Sequence, residues 1–86
     1  MKQCAIITGA LGGIGYETAK TFLSRGYTVI GMDVRPASDC TEQIAALGED
    51  FVYVAGNLAS ADDRASLVNT AIQTAGRIDA LVNVAG

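Results

Sequence analysis

Hydrophobic positions in this chain fall into short unbroken runs, separated by longer stretches in which they recur every three or four residues. Cys4-Ala5-Ile6-Ile7-Thr8 is apolar almost throughout, the pattern of a parallel strand covered on both faces. A glycine-rich turn follows, and a helix is predicted over residues 13–25, with Ile14, Thr18, Ala19, Phe22 and Leu23 on one side. Gly26, free to adopt the left-handed backbone of a C-terminal cap, ends it. Thr28-Val29-Ile30-Gly31-Met32 reads as a second strand ending at Asp33, and a polar connection over residues 36–40 leads to a short helix, Thr41–Leu47, closed by Gly48. Phe51-Val52-Tyr53-Val54-Ala55 is rich in aromatic and β-branched residues and is the third strand.

The next helix carries the clearest start signal. Ser60 and Asp63 have capping-box spacing, with Asp in place of the usual Glu, and Asp62 and Asp63 oppose the positive end of the helix dipole. Leu67, Val68, Ala71, Ile72 and Ala75 form its apolar stripe, Gly76 stops it, and residues 78–84 are a fourth strand. Crossovers of this length join strands that point the same way. The expected fold is therefore α/β: a parallel sheet of four strands in the order 3-2-1-4 with helices on both faces, half of a doubly wound domain.

Composition narrows the field. Eighty-six residues that are 50% hydrophobic, with one proline and ten glycines, describe one small globular unit. Six basic against nine acidic residues leave a net charge of −3, without the clustered basic face that binding nucleic acid requires. The longest apolar run, Phe51–Ala55, is far short of the ~20 residues that span a bilayer, so no membrane partner is expected. Cys4 and Cys40 lack CxxC spacing and the chain has no histidine, so no metal site is expected; they read as a buried thiol and a free surface thiol in a reducing cytoplasm.

The chemistry concentrates in Thr8-Gly9-Ala10-Leu11-Gly12-Gly13-Ile14-Gly15, between a strand and the start of a helix. Backbone N–H groups at a helix start are unsatisfied, point the same way, and attract phosphate oxygens together with the helix dipole. Glycine permits both the tight turn and a ligand's close approach. A tight turn without a ligand would use the same residues, and no Gly-Lys-Ser/Thr follows that would make this a P-loop. Asp33 strengthens the nucleotide reading: it ends the second strand 18 residues beyond Gly15, near the distance at which a carboxylate accepts the ribose hydroxyls of a dinucleotide.

With Asp33 between them, two motifs make the chain similar to the short-chain dehydrogenase/reductase family over all 86 residues. Thr8, Gly9, Gly13 and Gly15 match its Thr-Gly-x-x-x-Gly-x-Gly. The spacing of Gly9, Gly12 and Gly15 also fits the extended branch of epimerases and dehydratases. Leu81-Val82-Asn83-Val84-Ala85-Gly86 resembles the Leu-Val-Asn-Asn-Ala-Gly of the ordinary, oxidoreductase-rich branch, with Val84 where the second Asn usually stands.

The resemblance implies a partial cofactor site. Gly9, Leu11, Gly12, Gly13, Ile14 and Gly15 would form the pyrophosphate turn and Asp33 would hold the adenosine ribose. Asn57, in place of the family's usual Asp, would accept from the adenine amino group, Leu58 would offer its backbone to the ring, and Asn83, Ala85 and Gly86 would line the path to the nicotinamide ribose. NAD is the expected cofactor, because a 2′-phosphate beside Asp33 meets carboxylate repulsion, and Gly12 stands where NADP-preferring relatives place a basic residue. Arg35, close enough to reach a phosphate, speaks for NADP unless it is a solvated loop arginine.

The family's catalytic Ser and Tyr-x-x-x-Lys lie beyond the fourth strand. Tyr16 and Lys20 mimic the spacing but sit on the helix after the phosphate turn, so no catalytic residue is assigned. Residues 1–86 thus read as the N-terminal, dinucleotide-binding part of a longer oxidoreductase acting on an alcohol or ketone, inactive by itself and truncated after the fourth strand. The alternative is a non-catalytic nucleotide-binding module, or a homodimer assembled through the exposed apolar edge of that strand.

Overall fold

The computed structural model describes residues 2–84. Four strands, β1 (Cys4–Thr8), β2 (Thr28–Asp33), β3 (Phe51–Ala55) and β4 (Ala80–Asn83), form one parallel sheet in the expected order β3-β2-β1-β4. The helices are α1 (Gly13–Ser24), α2 (Thr41–Leu47) and α3 (Ala61–Ala75), and a 3₁₀ turn occupies Ala37–Asp39. Ile6 lies opposite Ile30 on one side and Leu81 on the other, so the most apolar strand is central.

Successive strand residues point to opposite faces, which gives the sheet two cores. Cys4, Ile6, Ile30 and Met32 pack against Leu67 and Ala71 of α3, with Val52 and Val54 beside them. Ile7, Val29 and Phe51 pack on the other face against Ala10 and Ala19, with Phe22 and Leu23 of α1 and Ile44 and Leu47 of α2. Burying a side chain of this size contributes roughly 1.5–3 kcal/mol. Gly31 shares the second face: a Cβ there would come within 2.6 Å of the Phe51 ring and 2.8 Å of the Ala10 Cβ. The glycine makes room for an aromatic ring on one side and for the turn after β1 on the other.

Several details depart from the sequence reading, each for a tertiary reason. α1 ends at Ser24, with Arg25 as its cap, and the buried residues of its inner face are Gly15 and Ala19. Ile14 is not part of that face: it is 75% exposed beside the turn. Cys40 is buried rather than a surface thiol, because the connection after Pro36 folds back and its Sγ donates to the carbonyl of Pro36 at 3.3 Å.

The capping box of α3 is half formed. Ser60 Oγ accepts from the Asp63 N–H at 3.3 Å, but Asp63 Oδ2 accepts from the Asn57 N–H instead of that of Ser60. Val68 and Ile72 are exposed although Leu67 and Ala71 are buried, since α3 rests over β1 and β2 and its far flank extends past them. β4 is shorter than residues 78–84, although Asp79 N–H and Val84 N–H still donate to the carbonyls of Cys4 and Thr8. Asp79 also accepts the Cys4 N–H at 2.8 Å, and the Arg77 guanidinium together with that amide holds its carboxyl below the usual range.

Gly31→Ala tests the two-sided packing of the sheet. The added methyl is expected to destabilise the fold by about 1–3 kcal/mol in urea unfolding. An unchanged midpoint would show that the Phe51 ring and the turn can move apart freely.

Candidate functional site

The carboxyl ends of β1, β2, β3 and β4 open into a cleft of about 530 Å³, lined by Thr8, Gly9, Met32, Asp33, Val34, Gly56, Asn57, Leu58, Ala59 and Asn83. In open α/β sheets this end is where ligands bind, beside the strand at which the order reverses. Here that strand is β1, flanked by β2 and β4.

The turn after β1 is built by backbone contacts. Gly9 has φ +69° and donates its N–H to the carbonyl of Met32 at 2.9 Å. Gly12 N–H donates to the carbonyl of Gly9 at 3.2 Å. Gly15 seats the helix on the turn: a Cβ there would lie 2.7 Å from the carbonyl carbon of Gly9 and closer still to its oxygen. Gly12 and Gly13 are different. A Cβ on Gly12 would make only ordinary contact, and one on Gly13 would meet nothing within 4 Å. The fold requires two of these glycines, tolerates a side chain at Gly12 and leaves Gly13 facing open space.

α1 therefore begins bare. Its cap residue Gly12 offers no side-chain acceptor, its first turn holds no acidic residue, and the N–H groups of Gly13, Ile14 and Gly15 have no acceptor among the described residues. α3 shows the opposite arrangement, with Ser60 capping and Asp62 and Asp63 in its first turn. Of the two long helices, only α1 exposes an uncompensated positive dipole end.

Asp33 links this helix start to the cleft. Its Oδ2 accepts the N–H of Leu11 at 2.9 Å and its Oδ1 accepts the N–H of Val34 at 2.8 Å. A carboxylate offers roughly four lone-pair positions, so each oxygen keeps acceptor capacity after these bonds. Leu11 is buried and its amide is already engaged, so it anchors the turn.

On the far wall, Asn57 Oδ1 accepts from the Ala59 N–H at 2.9 Å, closing an Asx turn and leaving the residue exposed at the cleft. The Leu58 carbonyl accepts from Arg64 at 2.7 Å. Thr8 Oγ1 donates to Asn83 Oδ1 at 2.7 Å, which directs the Asn83 amide nitrogen elsewhere.

The structure thus brings Gly9, Asp33, Asn57, Leu58 and Asn83 to one cleft and puts Leu11, Gly12, Gly13, Ile14 and Gly15 in the adjoining turn rather than in the cleft wall. Ala85 and Gly86 lie outside the described residues. Met32, Val34, Gly56 and Ala59 also line the cleft. Val34 had a signal in the sequence, an apolar residue directly after a strand-ending aspartate; it is 69% exposed. The Tyr16 hydroxyl donates to the Gln43 carbonyl and Lys20 lies over the Tyr16 ring, so the pair is committed to the surface of α1. Among the described residues no group of three or more Cys, Asp or Glu is placed to hold a metal ion.

Comparison with known proteins gives a consistent picture. The sequence model of the short chain dehydrogenase family matches residues 3–86. The chain is 38% identical over 87 residues to an uncharacterized oxidoreductase of Bacillus subtilis, covering 99% of the chain and 34% of that protein. To the 7alpha-hydroxysteroid dehydrogenase of Escherichia coli it is 37% identical over 86 residues, covering 98% and 34%.

Among solved structures, a hydroxysteroid dehydrogenase from Escherichia coli superposes with a TM-score of 0.82 at 34% identity, over 94% of this chain and 35% of that one. A 3-ketoacyl-(acyl-carrier-protein) reductase from Brucella melitensis, complexed with NADH, superposes with a TM-score of 0.79 at 29% identity, over 93% and 32%. The chain spans about a third of the length of these relatives.

Tyr53 supports the rim of the cleft from below, donating to the carbonyls of Arg35 at 2.6 Å and Asp33 at 3.1 Å. Burial first, then Cys40 and Asp33, push its phenol up to about 12 from the ordinary 10.0. The folded state thus favours the protonated phenol. Its contribution is complete below pH about 10 and is lost as pH rises towards about 12. Tyr53→Phe is expected to cost about 1 kcal/mol at neutral pH and to flatten the alkaline loss of stability in that window. An identical slope in wild type and variant would place the titrating group elsewhere.

Proposed function

This chain belongs to the short-chain dehydrogenase family, and on that premise we propose that it forms the part of an NAD-dependent oxidoreductase that binds adenosine and diphosphate. The observation that carries the proposal is the set of three unpartnered amides at the start of α1, one turn away from the carboxylate of Asp33. Amides aimed together from a helix start suit the diphosphate, and the spare lone pairs of Asp33 suit the ribose hydroxyls. The open space over Gly13 gives the diphosphate a path to those amides.

Further along, Val34 offers an apolar surface to the adenine, Asn57 and Leu58 border its edge, and the amide nitrogen of Asn83, not engaged by Thr8, serves the nicotinamide side. NAD is favoured over NADP because a 2′-phosphate would be repelled by Asp33 and would take the place of a hydroxyl that donates to it. When bound, the nicotinamide ring would take up the carbinol hydride of an alcohol, whose hydroxyl proton passes to a base or to solvent as the ketone forms, or supply both in the reverse direction. Among the described residues no Tyr–Lys pair stands at the cleft, and the proposal is that this stretch binds cofactor without turnover by itself. The two cysteines are free and buried, which fits a reducing cytoplasm. No helix among the described residues is long and apolar enough to cross a membrane.

A second reading, self-association through β4, draws on one observation. β4 is the edge of the described sheet, and Leu81, Val68, Ile72 and Ile78 are 67%, 45%, 49% and 39% exposed along that side. Two copies paired there would cover this surface. Sedimentation is expected to show a dimer that Leu81→Lys dissociates; a monomer at high concentration would end this reading.

Gly13→Ala separates a ligand-binding turn from a merely structural one. Nothing in the fold opposes its Cβ, so thermal stability is expected to equal or exceed that of the wild type. Calorimetric titration with NAD is expected to show affinity lowered about tenfold, since the methyl enters the diphosphate path. Unchanged affinity would show that the helix start is not where the nucleotide binds.

A further inference from the structure

Gln43 of α2 makes contacts that neither the fold nor the cofactor cleft accounts for. Its Oε1 accepts a hydrogen bond from the Arg35 guanidinium at 2.9 Å, and its Nε2 lies 3.5 Å from the carbonyl oxygen of Leu11 in the glycine turn. Its backbone carbonyl accepts from the Tyr16 hydroxyl at 2.9 Å, which fixes this part of α2 against α1. Arg35 is meanwhile held at its own carbonyl by Tyr53. The arginine is thus tied at both ends, and it forms no ion pair with Asp33, two residues away, among the described residues.

This matters because an arginine near the end of the second strand is the group that accommodates the 2′-phosphate of NADP in dinucleotide-binding folds, while an acidic residue there selects the free 2′-hydroxyl of NAD. The chain carries both, Asp33 and Arg35. Their opposing preferences are settled by where the guanidinium rests. We propose that Gln43 is a specificity-determining positioning residue: by holding Arg35 against α2 it keeps the guanidinium from a 2′-phosphate and leaves Asp33 to select NAD. The inference rests on the dinucleotide-binding reading above and adds to it the element that enforces the choice.

The test compares dissociation constants of NAD and NADP for the 86-residue chain and its Gln43 variants. Gln43→Ala frees Arg35 and is expected to raise the affinity for NADP relative to NAD by about three- to tenfold, within the net range of an ordinary hydrogen bond. Gln43→Glu replaces the neutral acceptor with a carboxylate, tightens the tether, and is expected to lower the same ratio. In an Arg35→Ala background Gln43→Ala is expected to leave the ratio unmoved.

A purely structural role for Gln43 would weaken both ligands equally, so a constant ratio across the variants overturns the inference while leaving NAD binding by the wild type intact. Failure of the wild type to bind either nucleotide overturns the dinucleotide reading itself, and this inference with it. If Gln43→Ala does not fold, Gln43→Leu, which removes the acceptor at nearly the same size and adds no charge, decides the matter by the direction of its ratio.

Discussion

One hydrogen bond joins the two halves of the candidate site. The carboxylate that ends β2 accepts the amide of Leu11, 22 residues earlier in the chain, and so fixes the turn after β1 beside the mouth of the cleft. Hydrogen bonds to a charged acceptor are worth about 1.5–3 kcal/mol. The second constraint is steric: α1 starts where it does because Gly15 can lie against the carbonyl of Gly9. Together they carry the axis of α1 over β1 and bring its first amides to the side where Asp33 stands. A side chain at position 15, or the loss of the carboxylate at 33, would remove one of the two supports of that geometry.

The two long helices show what the arrangement does electrostatically. Both present their N-termini at the same end of the sheet, as parallel βαβ units must. α3 satisfies its own start with Ser60 and two aspartates, and one of them, Asp63, turns to the Asn57 amide and shapes the far wall of the cleft. α1 has neither cap nor carboxylate. A helix end without a cap of its own is satisfied by water or by an anion from outside, and the dipole favours the anion. The neighbouring apolar and hydrogen-bonding surfaces of Val34, Asn57 and Asn83 fit what such an anion would bring with it.

Much of this was legible in the residue pattern, and the exceptions have identifiable causes. The strand order and the bounds of β1, β3 and α2 followed from contiguous apolar runs and from glycines at the breaks, features local enough to survive folding unchanged. The position of Asp33 at the mouth of the cleft was legible because its place at a strand end sets its surroundings. Its bond to Leu11 was not, since only the sheet brings the two together. Ala19, Phe22 and Leu23 pack as their spacing implies, but in the first turn Gly15 meets the sheet in place of Ile14. Cys40 follows a polar segment and reads as exposed, but the turn at Pro36 folds it inward. Asp63 has the spacing of a reciprocal cap, but the Ser60 N–H donates to the Asn57 carbonyl and the Asp63 carboxylate accepts the Asn57 N–H from β3's exit loop. In each case a contact from another element overrode a correct local signal.

The central claim is that the bare start of α1 and the carboxylate of Asp33 hold one nucleotide between them. Amide-resolved NMR of the 86-residue chain during titration with NAD tests it most directly. Saturable shifts largest at Gly12, Gly13, Ile14, Gly15 and the residues around Asp33, with smaller ones at Asn57, Leu58 and Asn83, are the predicted result. Shifts centred elsewhere, or none at saturating nucleotide, would contradict it.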